Sequence, residues 1–353
     1  MSNRIDTIKY GLTERFQILA KEFEELTVAR VLSQEKGLYR IVTEEGEKLA
    51  EVSGKFRYNT QILSDFPAVG DFVMVDWNEQ GDNGIIHYIL PRKSSFIRKA
   101  AGNAQNEQVV AANIDTIFLC MSLNNDFNLR RLERYLSIGW DSGATPVIVL
   151  TKSDLCEDLE DKLLEISSVA IGVDILVTTA TEKNGYKELE PFLEKGKTVA
   201  FIGSSGVGKS TLINCLLGEK RLDTNGLRND DKGRHTTTRR ELFVLPSGGL
   251  VIDTPGMREF GMWDNREGID RTFSDIEELA EQCRFRNCTH SGEPGCAVQR
   301  ALKQGKLTIE RWQSYQKLKA ESAYAEDKES YLIAKGKREK EISKLIKKLP
   351  VKR

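Results

Sequence analysis

The sequence lacks long apolar runs and an apolar segment at its start. None of its hydrophobic stretches approaches the roughly 18 residues that a membrane-spanning helix needs. The first ten residues, M-S-N-R-I-D-T-I-K-Y, do not form the apolar core of a secretory signal peptide. We therefore expect a cytoplasmic protein with no membrane partner.

An excess of charge of one sign is also lacking. The 353 residues include 52 Lys and Arg and 53 Asp and Glu, and the formal net charge is −1. This balance does not by itself indicate a nucleic-acid-binding protein. The exception is the segment 335–353, which carries nine basic and two acidic residues. Such a tail suits phosphate binding, and a solvated helix end explains it equally well.

Histidine and cysteine are scarce, yet four of them lie together. The chain has three His and six Cys. The spacing C-x4-C-x-H-x5-C places Cys283, Cys288, His290 and Cys296 within one short segment. In a cytosolic protein such a cluster binds metal more often than it forms disulfides. Three thiolates and one imidazole are the ligands of a closed, structural Zn²⁺ site, and the alternative is three unrelated thiols.

The clearest positive signal is a phosphate-binding loop. Residues 203–211 read G-S-S-G-V-G-K-S-T and fit the pattern G-x-x-x-x-G-K-[ST]. A β-branched apolar segment precedes them at 197–202, and an amphipathic segment follows at 211–217 and stops at Gly218. This is the strand–loop–helix context that the motif requires; a flexible Gly/Ser loop is the alternative. The residues assigned to GTP binding here are Gly203, Ser204, Ser205, Gly206, Val207, Gly208, Lys209, Ser210 and Thr211.

Phosphate chemistry explains the composition of this loop. Glycines let the backbone wrap a phosphate chain with its N–H groups pointing inward, and the helix N-terminus adds partial positive charge. Lys209 is expected to reach the β- and γ-phosphates, and the Ser210 hydroxyl is expected to ligate Mg²⁺. Upstream, predicted strands alternate with predicted helices, which favours a parallel sheet with helices on both faces.

A second motif, T-K-S-D at 151–154, follows a predicted buried strand. Asp154 can accept hydrogen bonds from the N1–H and the 2-amino group of guanine, and adenine lacks both donors. Lys152 can pack its stem along the base, next to Thr151. Thr179 and Ala180 are expected to offer a backbone N–H to the guanine carbonyl. GTP or GDP is therefore the expected ligand, and an ATP-dependent enzyme is the alternative.

A third motif, D-T-P-G at 253–256, also follows a predicted strand. Asp253 is expected to bind Mg²⁺ through water, and the Gly256 N–H to sense the γ-phosphate. In the polar, aperiodic segment 219–240, Thr236 or Thr237 is expected to close over Mg²⁺; Thr237 is assigned as the metal ligand. His235 is the nearest candidate to orient the attacking water. Equally, it could position the loop or contact RNA.

The order of these motifs is unusual for a GTPase. An ordinary GTPase of this fold runs from the phosphate loop through D-x-x-G to the base-reading motif, whereas here Asp154 precedes Gly203. A circular permutation builds the same sheet, because the termini of compact domains tend to lie close together. The chain that follows D-T-P-G is then tied directly to the γ-phosphate sensor, so hydrolysis is expected to move the C-terminal domain.

With these motifs the chain resembles the RsgA/YjeQ family of circularly permuted, ribosome-associated GTPases over residues 27–320. The resemblance implies an N-terminal OB barrel that docks on small-subunit rRNA, a central GTPase, and a C-terminal domain with zinc at the matching residues. It also implies a late role in maturation of the small ribosomal subunit. Further shared motifs are V-G-D-F-V at 69–73, A-A-N-I-D at 111–115, L-E-R-Y-L at 132–136, G-R-H-T-T-T at 233–238 and D-T-P-G-M-R-E-F-G at 253–261.

Three residues depart from common GTPase patterns. Thr151 stands where most GTPases have Asn, which is expected to loosen base binding. Met257 stands where Ras-like enzymes place a water-orienting Gln. Because a methionine cannot orient water by hydrogen bonding, we expect slow intrinsic turnover that a partner stimulates. Gly206 replaces the Asn of potassium-dependent relatives, so potassium activation is not expected.

Residues 27–100 show short extended runs with polar turns, which predicts a small OB-type barrel. We read 56–59 as one of these runs. Such barrels often bind RNA, and a purely structural barrel with a solvated rim is the alternative. The candidate RNA contacts are Arg57, Tyr58, Arg92, Lys93, Phe96, Arg98 and Lys99.

These observations predict a multidomain α/β and β protein. The expected division is a leader at 1–26, an OB-fold RNA-binding domain at 27–100, a circularly permuted GTPase domain at 101–268, and a zinc-binding helical domain with a basic tail at 269–353. The predicted function is hydrolysis of GTP to GDP and phosphate on the small ribosomal subunit, by a monomer with one structural Zn²⁺ and with Mg²⁺ bound beside GTP. The alternative is a nucleotide-gated RNA-binding adaptor with incidental hydrolysis.

Overall fold

The structure is a computed structural model that describes residues 6–35, 37–60, 62–77, 83–99, 107–124, 126–222, 240–253 and 266–323. Its strands are β1 (Thr27–Glu35), β2 (Leu38–Thr43), β3 (Gly46–Val52), β4 (Phe72–Asp76), β5 (Gly84–Ile89), β6 (Ser95–Lys99), β7 (Glu107–Ala112), β8 (Thr116–Ser122), β9 (Thr145–Thr151), β10 (Asp174–Val177), β11 (Thr198–Ile202), β12 (Glu241–Val244) and β13 (Leu250–Asp253).

Its α-helices are α1 (Glu14–Ala20), α2 (Gly54–Asn59), α3 (Leu129–Asp141), α4 (Leu159–Ser167), α5 (Lys209–Leu217), α6 (Arg266–Thr272), α7 (Ser274–Glu281), α8 (Ala297–Lys303) and α9, which is described over 309–323. Short 3₁₀ helices occupy Thr7–Tyr10, Leu63–Asp65, Ser153–Leu155 and Lys187–Phe192. Across the described ranges every helix is too short or too polar to traverse a lipid bilayer.

The five strands β1 to β5 form the predicted barrel. The sheet order is β1-β2-β3-β5-β4, and the pairing of β4 with β1 closes it. The pair β3–β5 is parallel and the others are antiparallel. Apolar side chains on the inner face, among them Val31, Ile41 and Ile86, fill the interior. The OB-type prediction is therefore confirmed.

One reading of this region was wrong, and one element was missed. Residues 56–59 belong to α2 rather than to a strand, because the Ser53 hydroxyl accepts a hydrogen bond from the Phe56 N–H and caps a helix there. Phe56 then packs against Phe66. The hairpin of β6 and β7, which leads from the barrel into the next domain, was not predicted at all.

Three of the predicted RNA contacts instead hold the structure together. Arg92 forms two hydrogen bonds, of 2.8 and 2.7 Å, with the carboxylate of Asp71, which is fully buried. The Lys93 ammonium lies 2.6 Å from the Asp115 carboxylate, and Phe96 is 2 % exposed. By contrast, Arg57 is exposed and Tyr58 is 88 % exposed on α2.

The nucleotide-binding region is one sheet with the order β10-β9-β8-β11-β13-β12. All neighbouring strands from β10 to β13 are parallel, and β12 joins β13 as an antiparallel edge. Strand β11, which leads into the phosphate loop, lies at the centre. The three strands that precede it in the chain lie on one side and the two that follow lie on the other. The circular permutation therefore leaves the carboxyl ends of the parallel strands on one edge.

The barrel and this sheet are joined through β12 and β1. Ser33 in β1 pairs with Glu241 in β12, and Arg40 of the barrel forms an ion pair with the Glu241 carboxylate. The Arg221 guanidinium, shortly after the end of α5, lies 3.6 Å from the same carboxylate. Strand β12, which follows the segment 223–239 in the chain, is thus attached to the barrel.

The described part of the leader packs onto this junction. Phe16 in α1 is 1 % exposed and stacks on Phe72 of the barrel at 4.2 Å between ring centroids. The Arg30 guanidinium, 2 % exposed, donates to the carbonyl of Tyr10 and to the Thr198 hydroxyl. Because a buried guanidinium must satisfy its donors, these bonds fix leader, barrel and sheet relative to one another.

The C-terminal helices dock on α3 through a buried carboxylate. Glu133 is fully buried, and its Oε1 accepts hydrogen bonds from Arg130 at 2.7 Å and from Arg311 at 3.0 Å. Arg311 also binds Asp275 at 2.6 Å. Burial raises the pKa of Glu133, and its neighbours oppose that shift. Close approach is allowed by Gly268, where a Cβ would lie 2.0 Å from the Ser137 carbonyl oxygen.

Replacing Arg311 with Met is expected to destabilise the protein by about 3–5 kcal/mol, because it removes the buried charge that pairs with both Glu133 and Asp275. The matched control is Arg134→Met, which breaks the partly exposed pair with Glu321 and is expected to cost about 1 kcal/mol or less. Denaturant unfolding of both variants measures the difference. Equal losses would contradict a docking role for Glu133.

Candidate functional site: a nucleotide site and a metal centre

The phosphate loop lies between the buried strand β11 and the first turn of α5. Its curvature requires glycine: Gly208 has φ of 106°, and a Cβ on Gly203 would lie 2.5 Å from the Cys120 carbonyl oxygen. Val207 is fully buried and anchors the loop. The predicted strand, loop and helix, with the stop at Gly218, are therefore found as expected.

The Lys209 side chain turns back over the loop. Its ammonium donates to the carbonyl oxygens of Gly203 and Ser204, at 2.7 Å each. These bonds fix a positive charge at the mouth of the loop, where a phosphate group would lie. Ser210 and Thr211 follow in the first turn of α5, where both are half-buried. The exposed members of the loop are Ser205 and Gly206.

The T-K-S-D motif meets this loop from the end of β9. The Thr151 hydroxyl donates to the Val207 carbonyl at 2.5 Å, and the Lys152 ammonium donates to the Gly206 carbonyl at 2.7 Å. Lys152 itself has a left-handed backbone, with φ of 59°. The two motifs, far apart in the chain, are therefore in direct contact at the carboxyl ends of β9 and β11.

Asp154 is held by the loop that follows β10. The Thr179 hydroxyl donates to its Oδ1 at 2.6 Å, and Thr179 and Thr181 share a further hydrogen bond of 2.8 Å. Asp154 and Ala180 are exposed at this edge. A carboxylate fixed in this way at an exposed edge suits recognition of a base that presents two adjacent N–H donors.

The remaining predicted nucleotide ligands are only partly described. Asp253 is half-buried at the carboxyl end of β13, beside β11. His235, Thr236, Thr237, Gly256 and Met257 lie outside the described residues. Sequence reasoning also missed a side chain: Asp126, in the loop before α3, accepts a hydrogen bond from the Ser204 hydroxyl at 2.5 Å.

The four predicted zinc ligands come together between α7 and α8. Their donor atoms all lie within 4.8 Å of one another. The His290 Nδ1 lies 3.6 Å from the Cys283 sulfur and 3.5 Å from the Cys296 sulfur, and these two sulfurs are 3.9 Å apart. Zn²⁺ binds thiolates at about 2.3 Å and imidazole at about 2.0 Å in tetrahedral geometry, so a single ion fits between these atoms.

The surroundings of the cluster also suit a metal. The backbone N–H of Ala297 points at the Cys283 sulfur at 3.3 Å, and the N–H of Gln299 at the Cys296 sulfur at 3.4 Å. Backbone N–H groups directed at cysteine sulfurs are typical outer-shell partners of metal ligands. By contrast, burial raises the pKa of Cys120, outside the cluster, to about 12, so that thiol stays protonated.

The sequence model of the RsgA GTPase family matches residues 89–263. A protein of Lactiplantibacillus plantarum described as small ribosomal subunit biogenesis GTPase RsgA 2 is 51 % identical over 91 % of this chain and 90 % of its own length. A Listeria innocua protein described as small ribosomal subunit biogenesis GTPase RsgA 1 is 44 % identical over 94 % of both chains. This chain belongs to the RsgA GTPase family.

Solved structures agree with this assignment. The crystal structure of YjeQ from Thermotoga maritima matches with a TM-score of 0.61 and 28 % identity, over 83 % of this chain and 97 % of that one. YloQ, described as a circularly permuted GTPase, matches with a TM-score of 0.59 and 26 % identity, over 86 % of this chain and 96 % of that one. The circularly permuted GTPase fold inferred from motif order is confirmed for this RsgA-family chain.

Replacing Thr151 with Val is expected to weaken GDP binding about tenfold, because it leaves the buried Val207 carbonyl without its donor. The preference for guanine over adenine is expected to persist, since Asp154 is untouched. Thr272→Val is the matched control: its buried hydroxyl donates to the Gly268 carbonyl in α6, away from the nucleotide loops. Fluorescent-nucleotide titration of both variants measures the effect, and equal affinities would contradict it.

Proposed function

We propose that this protein hydrolyses GTP to GDP and phosphate during maturation of the small ribosomal subunit. The observation that carries the nucleotide assignment is the contact between T-K-S-D and the phosphate loop, made by Thr151 and Lys152. The ribosomal assignment is supported by the descriptions of relatives that share up to 51 % identity over most of the chain.

In this proposal, Asp154 accepts the two N–H donors of guanine while Thr179 holds it in place. A base without those donors leaves the carboxylate unpaired, which disfavours adenine. Thr151 and Lys152 keep the base-reading loop on the phosphate loop, and Ala180 contributes a backbone N–H. These contacts hold the base-reading loop and the phosphate loop at a fixed distance from each other, at the edge of the sheet.

At the phosphates, Lys209 and the backbone N–H groups of 203–211 bind and orient the anion. Ser210 and Thr237 would hold Mg²⁺, and Asp253 would hold it through water. When bound, Mg²⁺ neutralises charge on the phosphate oxygens. Gly256 would sense the γ-phosphate and His235 would orient water. Because Met257 cannot orient water, intrinsic turnover is slow and the subunit raises it.

The attachment of both flanking domains suits a switch. The segment 223–239 leads into β12, whose Glu241 is bound to the barrel, and the segment 254–265 leads into α6, which docks on α3. Structural change at either segment would therefore reach a neighbouring domain directly. Arg57 and Tyr58 on α2 remain predicted rRNA contacts. The divisions 1–26, 27–100, 101–268 and 269–353 and the monomeric state remain part of this proposal.

Co-sedimentation with purified ribosomal subunits tests the partner. We expect the protein to sediment with small subunits when bound to a non-hydrolysable GTP analogue and to release them with GDP. Large subunits serve as the control. Binding to large subunits alone, or to neither in any nucleotide state, would overturn the proposed partner while leaving the GTPase assignment intact.

A further inference from the structure

The phosphate loop is held from outside by a carboxylate that belongs to no nucleotide motif. Asp126 lies in the connection between β8 and α3, and its Oδ2 accepts a hydrogen bond of 2.5 Å from the Ser204 hydroxyl. Ser204 is the second residue of the loop, and its carbonyl oxygen accepts a bond from Lys209. One residue of the loop is thus fixed on both its side chain and its backbone.

Local structure holds Asp126 in position. Its N–H donates to the Asn124 side chain at 3.2 Å, which in turn accepts a bond from Ser122 at 2.8 Å. Asn128 caps α3 by accepting from the Arg131 N–H at 3.0 Å. A turn and a capped helix therefore hold the two ends of this connection. Hydrogen bonds on both sides of Asp126 therefore position its carboxylate beside the loop.

Arg131, in the first turn of α3, neutralises this carboxylate. Its guanidinium lies 2.9 Å from Asp126 Oδ1 and also donates to the Asp126 carbonyl oxygen. A negative charge beside a loop that receives phosphate would repel the ligand if it were unpaired. Pairing with Arg131 removes that repulsion and keeps the acceptor. A chain of contacts from Ser204 through Asp126 to Arg131 thus links the phosphate loop to α3.

We propose that Asp126 is a positioning residue for nucleotide binding, which holds the phosphate loop through Ser204 while Arg131 cancels its charge. This inference rests on the proposed binding of guanine nucleotide. Asp126 touches no reacting atom in this account, and it acts by fixing the loop backbone that binds phosphate. Because Arg131 lies in the first turn of α3, the helix on which the C-terminal helices dock also sets the geometry of the nucleotide site.

The first test compares Asp126→Ala, Ser204→Ala and the double variant by titration with fluorescent GDP. Each single variant is expected to bind GDP about tenfold more weakly, since each removes the same charge-assisted hydrogen bond. The double variant is expected to match either single variant, because both residues act through one bond. Additive losses, or wild-type affinity in Asp126→Ala, would overturn the proposal.

The second test separates positioning from simple stability. Arg131→Gln leaves the Asp126 charge unpaired beside the phosphates and is expected to weaken GDP binding about tenfold. Adding Asp126→Asn keeps an acceptor for Ser204 without the charge, and is expected to recover most of that loss. A merely structural role for the pair gives no recovery, so a double variant as weak as Arg131→Gln would overturn the proposal.

Asp270→Ala is the matched control. It removes a partly exposed carboxylate that pairs with Lys319 at 2.6 Å among the C-terminal helices, and it is expected to bind GDP like the wild type. The wild-type titration separates the two claims. No GDP binding by the wild type would defeat the proposed function itself, whereas normal binding by both wild type and Asp126→Ala would defeat only this inference.

Discussion

Replacing Cys296 with Ser is expected to release the Zn²⁺ ion that we propose the cluster holds, and to unfold the helices α7 to α9. These helices enclose a small core around Phe273 and Trp312. Structural Zn²⁺ contributes on the order of 10 kcal/mol to the folding of such small units. Cys296 also caps α8 through its sulfur. Its loss therefore removes a ligand and a helix cap together.

Metal analysis and tryptophan fluorescence measure this effect. The wild type, purified without added zinc, is expected to carry about one equivalent, as one closed site requires. The His290 ring lies 5.7 Å from the Trp312 ring, edge to face, so loss of the site is expected to change the emission of that tryptophan. Cys215→Ser, a free cysteine outside the cluster, is the control. Wild-type protein without metal would refute the ligand set.

Replacing Asp154 with Asn is expected to lower the affinity for GDP by about 10²-fold or more. The amide of Asn places an N–H donor where guanine also presents a donor, so one of the two hydrogen bonds to the base is lost and a repulsion is gained. The geometry around the position is retained, because Thr179 can still donate to the amide oxygen. The loss is therefore expected in base recognition and not in folding.

A competition titration with GDP, ADP and xanthosine diphosphate measures this change. The guanine preference of the wild type is expected to disappear in Asp154→Asn, and Asp161→Asn, an exposed carboxylate on α4, is expected to keep it. A variant that retains the wild-type preference would show that Asp154 does not read the base. Wild-type protein that prefers ADP over GDP would instead defeat the GTP assignment, and an ATP-dependent enzyme would then be the better account.

Contiguous motifs made most of the site predictable. The phosphate loop, T-K-S-D and the Cys283–Cys296 spacing each carry their chemistry in a few adjacent residues. The fold of the site could be predicted because parallel strands bring their carboxyl ends to one edge of the sheet. At that edge the Thr151 hydroxyl donates to the Val207 carbonyl. The circular permutation could be recognised from the sequence because each motif marks the end of a particular strand.

What the sequence did not reveal depends on tertiary contacts. Arg92 and Phe96 have the chemistry of RNA-binding residues, and only the fold shows one bound to Asp71 and the other buried. Glu133 and Arg311 lie far apart in the chain and belong to no motif. The role of Asp126 likewise becomes apparent only when the structure places it beside Ser204. Residues 56–59 were wrongly predicted as a strand because their alternating aromatic residues are typical of strands. The helix cap at Ser53 was not taken into account.

GTP turnover, measured with and without purified small ribosomal subunits, tests the central claim most directly. The account predicts slow turnover by the protein alone, because Met257 stands where Ras-like enzymes place a water-orienting Gln, and strong stimulation by small subunits but not by large ones. Equal turnover under all three conditions, with tight GTP binding intact, would contradict it. The protein would then be better described as a nucleotide-gated RNA-binding adaptor or as a GTPase with another partner.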